Sequence, residues 1–277
     1  MNKYVLKIKC SDAKGLIYKI SNVLYKNDLN IEKNNEFVDG ENEKFFFRAR
    51  LDGLIDSSKI VTELKEVMPE DAEISLVKKI KKKIIVLATK ESHCLGDILL
   101  KHDSCELNAD IQAVVSNYDE LRPLCEKFGV KYHHVASEGM NRVAHEAKVL
   151  DVLSNYEVDY LVLAKYMRIL SADFVSKYEQ KIINIHHSFL PAFIGANPYK
   201  QAHERGVKII GATAHFVNNN LDEGPIIAQD VIPVNHEQSW RHMQRAGRNV
   251  EKTVLSNALD LVFDDKIFIH ANKTIIF

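Results

Sequence analysis

The stretch that decides the fold of the larger part of this chain is Lys181-Ile-Ile-Asn-Ile-His-His-Ser-Phe-Leu-Pro191. Its first half is apolar and rich in β-branched residues, which predicts a buried strand of a parallel sheet. Side chains two apart on a strand point the same way, so Asn184 and His186 are predicted to share a face and His187 to point to the other. A single strand therefore does not present His186 and His187 together as a pair of metal ligands.

Two later stretches carry further polar side chains, Thr213-Ala-His-Phe-Val217 and Leu221-Asp-Glu-Gly-Pro225. Together with the strand they offer an amide, an imidazole and a carboxylate, which are Asn184, His186 and Asp222. These three groups suit attack on a carbonyl carbon, because an amide and an imidazole donate to an oxyanion and a carboxylate orients an imidazole or a water.

Other apolar runs alternate with helical patterns over residues 81–277. Alternation of strands and helices predicts a doubly wound α/β fold around a mainly parallel sheet, with ligands beyond the carboxyl ends of the strands. The predicted parallel strands are 84–89, 110–116, 132–135, 160–163 and 182–185. We expect longer antiparallel strands at 211–217 and 226–234, a helix at 240–263, and a hairpin around Asn272 and Lys273.

Residues 1–80 have a different pattern, which the basic run Lys78-Lys-Ile-Lys-Lys-Lys83 separates from the rest. We interpret that run as a linker and the edge of the next strand. The 277 residues are also more than one core usually holds, so two domains are expected, 1–80 and 81–277. The predicted order is strand 4–10, helix 15–28, strand 30–38, strand 44–51, helix 57–68 and strand 72–77, the βαββαβ order of a ferredoxin-like domain.

The composition narrows the class of protein without identifying it. Lys and Arg number 37 and Asp and Glu 38, so the net charge of -1 lacks the positive excess that nucleic-acid binding needs. No apolar run reaches the roughly 20 residues of a membrane span, and no secretory leader is apparent, so we expect a cytoplasmic protein. Cys10, Cys94, Cys105 and Cys125 have neither zinc-site nor Cys-x-x-Cys spacing and are predicted to be buried, reduced thiols.

The motifs Asn-x-His-x-Ser-x-Leu-Pro, His-Phe-Val and Leu-Asp-x-Gly-Pro-Ile-Ile resemble the formyltransferase family that handles 10-formyltetrahydrofolate. The resemblance covers close to 200 residues. It implies that Asn184 and His186 stabilise an oxyanion and transfer protons, and that Asp222 orients His186 and activates water. It implies no cofactor and no metal, with the folate as substrate. For His215 two interpretations remain, a residue that orients Asp222 or His186, and an ordinary core histidine.

The stretch Leu163-Ala-Lys-Tyr-Met-Arg-Ile-Leu-Ser171 resembles the folate-binding wall of that family. There the pterin is held mostly by main-chain groups, which in this chain are those of Met167, Arg168 and Leu170. The alternative is ordinary core packing of the apolar side chains. The Asn218-Asn-Asn-Leu-Asp222 segment either completes the pocket or is a plain turn, so Asn218 and His215 are candidate substrate contacts.

The first βα turn of residues 81–277 departs from the family pattern. Members that pass formyl to a phosphorylated amine have a glycine-rich turn there, whose backbone amides hold the phosphate. Here the turn reads Ala88-Thr-Lys-Glu-Ser-His-Cys-Leu95, and Gly96 follows only within the predicted helix. With no place for the amine, we expect water to be the formyl acceptor and the products to be tetrahydrofolate and formate. Alternatives are transfer to another amine and a catalytically silent protein that senses an amino acid. His93 either covers the site or simply begins the helix.

The turn Cys10-Ser-Asp-Ala-Lys-Gly-Leu16 and the later Asn30-Ile31 resemble an ACT domain, a small-molecule regulatory module. The resemblance implies a possible amino-acid effector at Asp12, Gly15, Leu16 and Asn30, where a helix start favours a carboxylate. The alternative is a dimerisation module without an effector. Either way a homo-oligomer is expected, a dimer or a tetramer.

Overall fold

The computed structural model describes residues 3–192 and 198–277 and divides the chain into two compact units. The first unit contains Met1–Ile80, Asp264–Phe268 and Ile275–Phe277, and the second contains Lys81–Phe263 and Ile269–Thr274. Both units are α/β, as predicted. Within the described ranges, no helix combines the length and apolar character that crossing a membrane requires.

The first unit is an antiparallel four-stranded sheet with two helices. Its elements are β1 Lys3–Ser11, α1 Leu16–Lys26, β2 Asn30–Asp39, β3 Lys44–Asp52, α2 Ser57–Val67 and β4 Glu73–Lys78. The strand order is β2-β3-β1-β4, and the six predicted elements occur in the predicted order. The helices lie against one face of the sheet because alternate strand residues are apolar, as with Leu6, Ile8 and Cys10 of β1, which are buried with Ile20 of α1 and Leu64 of α2.

The second unit is a seven-stranded, mainly parallel sheet between helices. Its elements are β5 Lys82–Ala88, α3 His93–Asp103, β6 Ala109–Ser116, α4 Arg122–Lys127, β7 Tyr132–His134, α5 Arg142–Leu153, β8 Tyr160–Ala164, α6 Ala172–Lys177, β9 Ile182–His186, α7 Pro198–Arg205, β10 Ile209–Phe216, β11 Ile226–Pro233 and α8 Trp240–Phe263. The hairpin β12 Ile267–His270 and β13 Lys273–Ile276 follows in the chain, and its residues are divided between the two units.

The strand order of this sheet, β11-β10-β9-β8-β5-β6-β7, decides where a site can form. The β5, β6, β7, β8 and β9 pairings are parallel, whereas β10 pairs antiparallel with both β9 and β11. The carboxyl ends of the neighbouring strands β8 and β9 therefore lie side by side. Lys165 directly follows β8 and His186 is the last residue of β9. Both therefore lie at the carboxyl ends of the parallel strands.

The helices of the second unit pack against its sheet through apolar residues on one side of each helix. On α5 and α6, Val149, Leu153 and Phe174 are buried against strand residues such as Leu161 and Leu163. The 24-residue α8 contacts β9, β10, β11 and α3, and its buried positions recur every three or four residues from Met243 to Phe263. One of those buried positions is a charged residue, Glu251.

The cysteines are free, and three of the four are buried as predicted. The prediction is wrong for Cys105, which is exposed. Cys105 lies just after the end of α3 in a left-handed conformation with φ 60°, so its side chain is at a surface turn instead of in the core.

Candidate active site

Asn184 and His215 lie opposite each other on the antiparallel pair β9 and β10. Nδ1 of His215 is 2.9 Å from the carbonyl oxygen of Phe216. Because a carbonyl only accepts, Nδ1 carries the proton and Nε2 is the acceptor in the neutral ring. Asn184 donates to this Nε2 from its Nδ2, at 3.1 Å. His215 thus fixes which way the Asn184 amide is turned, which sequence alone left open.

His186, two residues along β9, meets Asp222. Nδ1 of His186 is 3.3 Å from Oδ2 of Asp222, and both side chains are largely buried. The other ring nitrogen, Nε2, is buried and has no hydrogen-bond partner among residues 3–192 and 198–277. A buried polar atom without a hydrogen-bond partner is uncommon. Nε2 of His186 is therefore the atom with which this side chain would contact a reacting group.

The loop after β10 brings Asp222 to His186, although the two residues are 36 positions apart in the sequence. Asp222 has a left-handed backbone with φ 58°. Two residues on, a Cβ at Gly224 would lie 1.7 Å from the carbonyl oxygen of Phe216, so only glycine lets the loop pack back on β10. The Gly of the Leu221–Pro225 motif therefore has a structural cause, and the position of Asp222 depends on it.

Electrostatics favour an ionised Asp222 beside a neutral His215. Burial raises the pKa of the Asp222 carboxyl, but the hydrogen bond and charge of His186 outweigh it, and the net direction is downward. Burial lowers the pKa of His215, although the Phe216 carbonyl and Asp222 oppose that shift. Oδ1 of Asp222 is 3.8 Å from Nε2 of His215, too far for a hydrogen bond. Asp222 is therefore bonded to His186, and His215 is bonded to Asn184.

These residues line a cavity of about 340 Å³. All the predicted substrate contacts border it, namely Met167, Arg168, Leu170, His215 and Asn218. Met167 is 60% exposed and Ile169, also on this wall, 56%, so neither is a core residue. An apolar wall with a few converging polar groups suits a flat heterocycle. The loop residues Asn219, Asn220 and Leu221 also line the cavity.

His187 differs from its prediction. Strand alternation predicts that it faces away from Asn184 and His186, but β9 ends at His186 and the alternation ends with it. His187 lines the same cavity, and its ring centroid is 5.3 Å from that of His186. It also borders a second cavity, where its ring lies 6.1 Å from the ring of Tyr199.

A buried polar network near His187 was not predicted from the sequence. Glu251 of α8 accepts hydrogen bonds from Nε2 of His93 at 2.8 Å and from the hydroxyl of Tyr199 at 2.6 Å. Nζ of Lys165 is 3.2 Å from the same carboxylate. His93 begins α3 and also bonds Glu251. It is not one of the described residues that line either cavity. A charged residue on the apolar stripe of α8 was the available signal for this network.

His93, Cys94 and Glu251 are close enough to suggest a metal site, with one ligand atom of each within 4.8 Å of the others. The chemistry of this donor set argues against a divalent cation. The Lys165 ammonium already pairs with Glu251, and burial, with the Glu251 charge next, raises the pKa of the Cys94 thiol far above neutrality. A metal would require a thiolate and would be repelled by the ammonium.

The first βα turn of the second unit lacks the glycine-rich sequence of the phosphate-binding members, as predicted. Residues 89–92 connect β5 to α3, and Gly96 is the fourth residue of the helix, where its amide bonds the carbonyl of Ser92 at 2.7 Å. This glycine is committed to helix hydrogen bonding, and the turn itself contains no glycine.

The predicted effector residues lie around the start of α1 in the first unit. Gly15 is the N-cap with φ 81°, a left-handed conformation that favours glycine. Asp12 is exposed and its amide bonds the carbonyl of Glu43, Leu16 is buried in the core, and Asn30 is exposed at the first position of β2. Leu16 therefore packs in the core under the helix start, while Asp12, Gly15 and Asn30 are exposed to solvent.

Known proteins are similar to this chain in sequence and in fold. The family described as formyl transferase matches residues 82–259. A formyltetrahydrofolate deformylase of Haemophilus influenzae is 52% identical, covering 100% of this chain and 99% of its own. The crystal structure of a formyltetrahydrofolate deformylase from Pseudomonas syringae pv. tomato has a TM-score of 0.95 at 38% identity, covering 100% of this chain and 95% of that one.

A glycinamide ribonucleotide transformylase from Symbiobacterium toebii has a TM-score of 0.68 at 30% identity and covers 71% of this chain and 94% of its own. The deformylases match over the whole length, including residues 1–80, and the transformylase does not. This chain therefore belongs to the formyl transferase family and, within it, to the formyltetrahydrofolate deformylases.

Proposed function

We propose that this protein hydrolyses 10-formyltetrahydrofolate to tetrahydrofolate and formate, with water as the formyl acceptor. The observation that carries the proposal is the convergence of Asn184, His186 and Asp222 on one cavity with an apolar wall. The full-length similarity to formyltetrahydrofolate deformylases supports the same reaction.

In this mechanism the Asn184 amide, oriented by His215, donates to the oxygen of the formyl group as the oxyanion develops. A preorganised donor of this kind typically contributes about 10²–10³ in rate. His186 donates from Nε2, which has no partner among the described residues, first to the oxyanion and then to the leaving nitrogen. Asp222 holds the ring through Nδ1 and orients the attacking water.

Hydrolysis follows from the missing phosphate site. Without glycine in the first βα turn, a ribonucleotide phosphate would meet side chains instead of free backbone amides. An amine that is not held near the formyl carbon reacts slowly, because positioning supplies much of the rate of a bimolecular step. Water needs no such anchor.

The experiment that tests this function measures loss of 10-formyltetrahydrofolate in buffer without any added amine, with formate quantified. We expect equal amounts of tetrahydrofolate and formate. Glycinamide ribonucleotide should neither inhibit nor accept the formyl group. Formylated ribonucleotide at a rate comparable with formate release would identify the protein as a transferase instead.

The proposed reaction requires neither a metal nor a cofactor, because amide and imidazole donors stabilise the charge and the folate is the substrate. We also propose a reducing compartment such as the cytoplasm, which the buried free thiols of Cys10, Cys94 and Cys125 support.

We further propose that residues 1–80 form an ACT-like regulatory and oligomerisation domain, with 81–277 as the catalytic domain. Two features of the first unit support this. The edge strand β2 is largely exposed along its ten residues, which offers unpaired backbone groups to a second copy. No side chain among the described residues caps the start of α1 at Gly15, and amides at a helix start suit an amino-acid carboxylate.

A further inference from the structure

A second cavity of about 300 Å³ adjoins the proposed folate cavity, and Lys165, Met167 and His187 line both. Its other walls include Tyr199 and Arg248. A molecule in the second cavity would therefore approach the first across Lys165 and His187. If an acceptor larger than water reached the formyl group, this is the side from which the cavities would admit it.

Lys165 is held rigidly at this junction. It follows the last residue of β8 in a left-handed conformation with φ 62°, which is costly for a residue with a Cβ. The hydroxyl of Thr89 donates to its carbonyl oxygen at 2.7 Å. The side chain is only 4% exposed, and its sole ion-pair partner in the part of the chain the structure describes is Glu251, itself 1% exposed.

Glu251 is in turn positioned by contacts with three side chains. Its carboxylate accepts from His93 and Tyr199 as well as pairing with Lys165, so both of its oxygens are used. Tyr199 reaches it only because residue 247 of α8 is glycine, since a Cβ there would lie 2.1 Å from the Tyr199 hydroxyl. Glycine within a helix costs about 1 kcal/mol relative to alanine. Here it creates the space in which the network forms.

Stability alone does not explain such an arrangement. A buried ion pair is often no more stabilising than well-packed apolar residues, because both charges must be removed from water. Buried charged groups on the wall of a reactive cavity are, by contrast, frequent at functional sites. We infer that Lys165, positioned by Glu251, selects water over an amine at the formyl carbon, in addition to the effect of the missing phosphate site. This inference rests on the hydrolysis proposed above.

The selection follows from hydrogen-bond chemistry. An ammonium has three donors and no acceptor, and one direction is taken by Glu251. A nucleophile beside Lys165 must accept a hydrogen bond from it. Water has two lone pairs, so it accepts with one and attacks with the other. An amine has a single lone pair, and accepting from the ammonium leaves none for attack on the formyl carbon.

Hydrolysis and transfer differ in the bond formed at the formyl carbon and in where the protons go. In hydrolysis the water oxygen bonds the formyl carbon, the carbon–nitrogen bond breaks, the folate nitrogen takes one proton, and formate leaves with the second proton released to solvent. In transfer, the amine nitrogen bonds the formyl carbon and its proton passes to the folate nitrogen, which gives a formamide.

His187 supports this selection from the same junction. Burial lowers the pKa of its imidazole, and the Lys165 charge lowers it further, to about 4. The ring is therefore neutral near pH 7 and keeps a lone pair with which to accept a proton of the water. Lys165 and His187 together offer a donor and an acceptor, which matches the hydrogen-bonding pattern of one water molecule.

The test compares wild type with Lys165→Met, which keeps the length of the side chain and removes the charge. Each protein receives 10-formyltetrahydrofolate with increasing glycinamide, and formate and N-formylglycinamide are quantified. Wild type should give formate alone. Lys165→Met should release formate at least about 10-fold more slowly and should form the formamide in proportion to glycinamide, while the KM for the folate changes little.

Two more variants keep the test decisive. Glu251→Gln retains the shape of the network but releases the ammonium, so it should shift the product ratio in the same direction, and it covers the case in which Lys165→Met does not fold. Lys148→Met removes a charge from an exposed site on α5 and should behave like wild type.

Folded variants at positions 165 and 251 that yield formate alone, at any rate, would overturn the selection by Lys165. Formamide made by wild type alongside formate would also overturn that selection. Wild type that releases no formate in the absence of glycinamide would instead refute the proposed hydrolase function itself, so the two failures are distinguishable.

Discussion

Nδ2 of Asn184 lies 3.1 Å from Nε2 of His215, and the proton on Nδ1 of that histidine is committed to the carbonyl of Phe216. The neutral ring is therefore an acceptor, which turns the Asn184 amide so that its nitrogen is the donor end. An asparagine free to rotate would present its oxygen to an oxyanion about as readily. His215 is in this account a positioning residue for Asn184.

Replacing His215 tests that relationship. His215→Phe fills the space without an acceptor, so kcat should fall at least about 10-fold while KM stays nearly constant, since the lost contact acts in the transition state. His215→Gln keeps an acceptor oxygen and should recover part of the loss. If both variants lose kcat equally, the histidine matters for packing and not for the orientation of Asn184.

Asp222→Asn should lower turnover by at least about 10² without unfolding the protein, because a neutral amide orients His186 and the water poorly. Glu223→Gln is the matched control, a neighbouring carboxylate that is exposed, and it should retain wild-type turnover. Steady-state kinetics with circular dichroism on both proteins provide the measurement. Near-wild-type turnover in folded Asp222→Asn would remove this residue from the mechanism.

Stability should depend on pH through Glu251. Burial raises the pKa of its carboxyl, but the His93 hydrogen bond, the Lys165 charge and Tyr199 lower it from an ordinary 4.5 to about 2. A depressed pKa in the folded state contributes stability above pH 4.5, which is lost as the pH falls towards 2.

A shift of this size corresponds to roughly 3 kcal/mol at neutral pH. Denaturant unfolding of wild type and Glu251→Gln from pH 7 down to pH 3 should therefore show a difference in unfolding free energy that narrows below pH 4.5. A difference that is independent of pH would show that the charge on Glu251 does not stabilise the fold.

Gly15→Val tests the proposed effector site. Valine at φ 81° is strained and should distort the start of α1, which weakens any activation or inhibition by an amino acid but leaves basal formate release unchanged. Gly40→Val is the control, because its Cβ likewise meets nothing within 4 Å but its φ is not positive. The assay measures formate release against a panel of amino acids. An unaltered response in Gly15→Val would place the effector elsewhere.

Periodicity predicted most of the fold. The helix expected at 240–263 has those bounds, and the strand expected at 182–185 extends by one residue to His186. The two-residue alternation of a strand also predicted that Asn184 and His186 share one face of the sheet. The alternation could not be carried to His187, because the residue lies beyond the end of the strand and its direction depends on the turn.

The contacts that complete the site were beyond the reach of sequence patterns. Asp222 joins His186 through a loop whose path depends on Gly224 and on a left-handed backbone. Glu251 is the single charged residue among the buried positions of α8, and its partners Lys165 and Tyr199 come from distant segments. Such long-range pairs follow from the tertiary structure and have no local signature.

Isotopic labelling gives the most direct test of whether water accepts the formyl group. The enzyme is supplied with 10-formyltetrahydrofolate in water enriched in ¹⁸O, without amine, and the formate is analysed by mass spectrometry at early times. The formate should carry one labelled oxygen from water and one unlabelled oxygen from the formyl group. Folate that loses its formyl group without labelled formate appearing would contradict it.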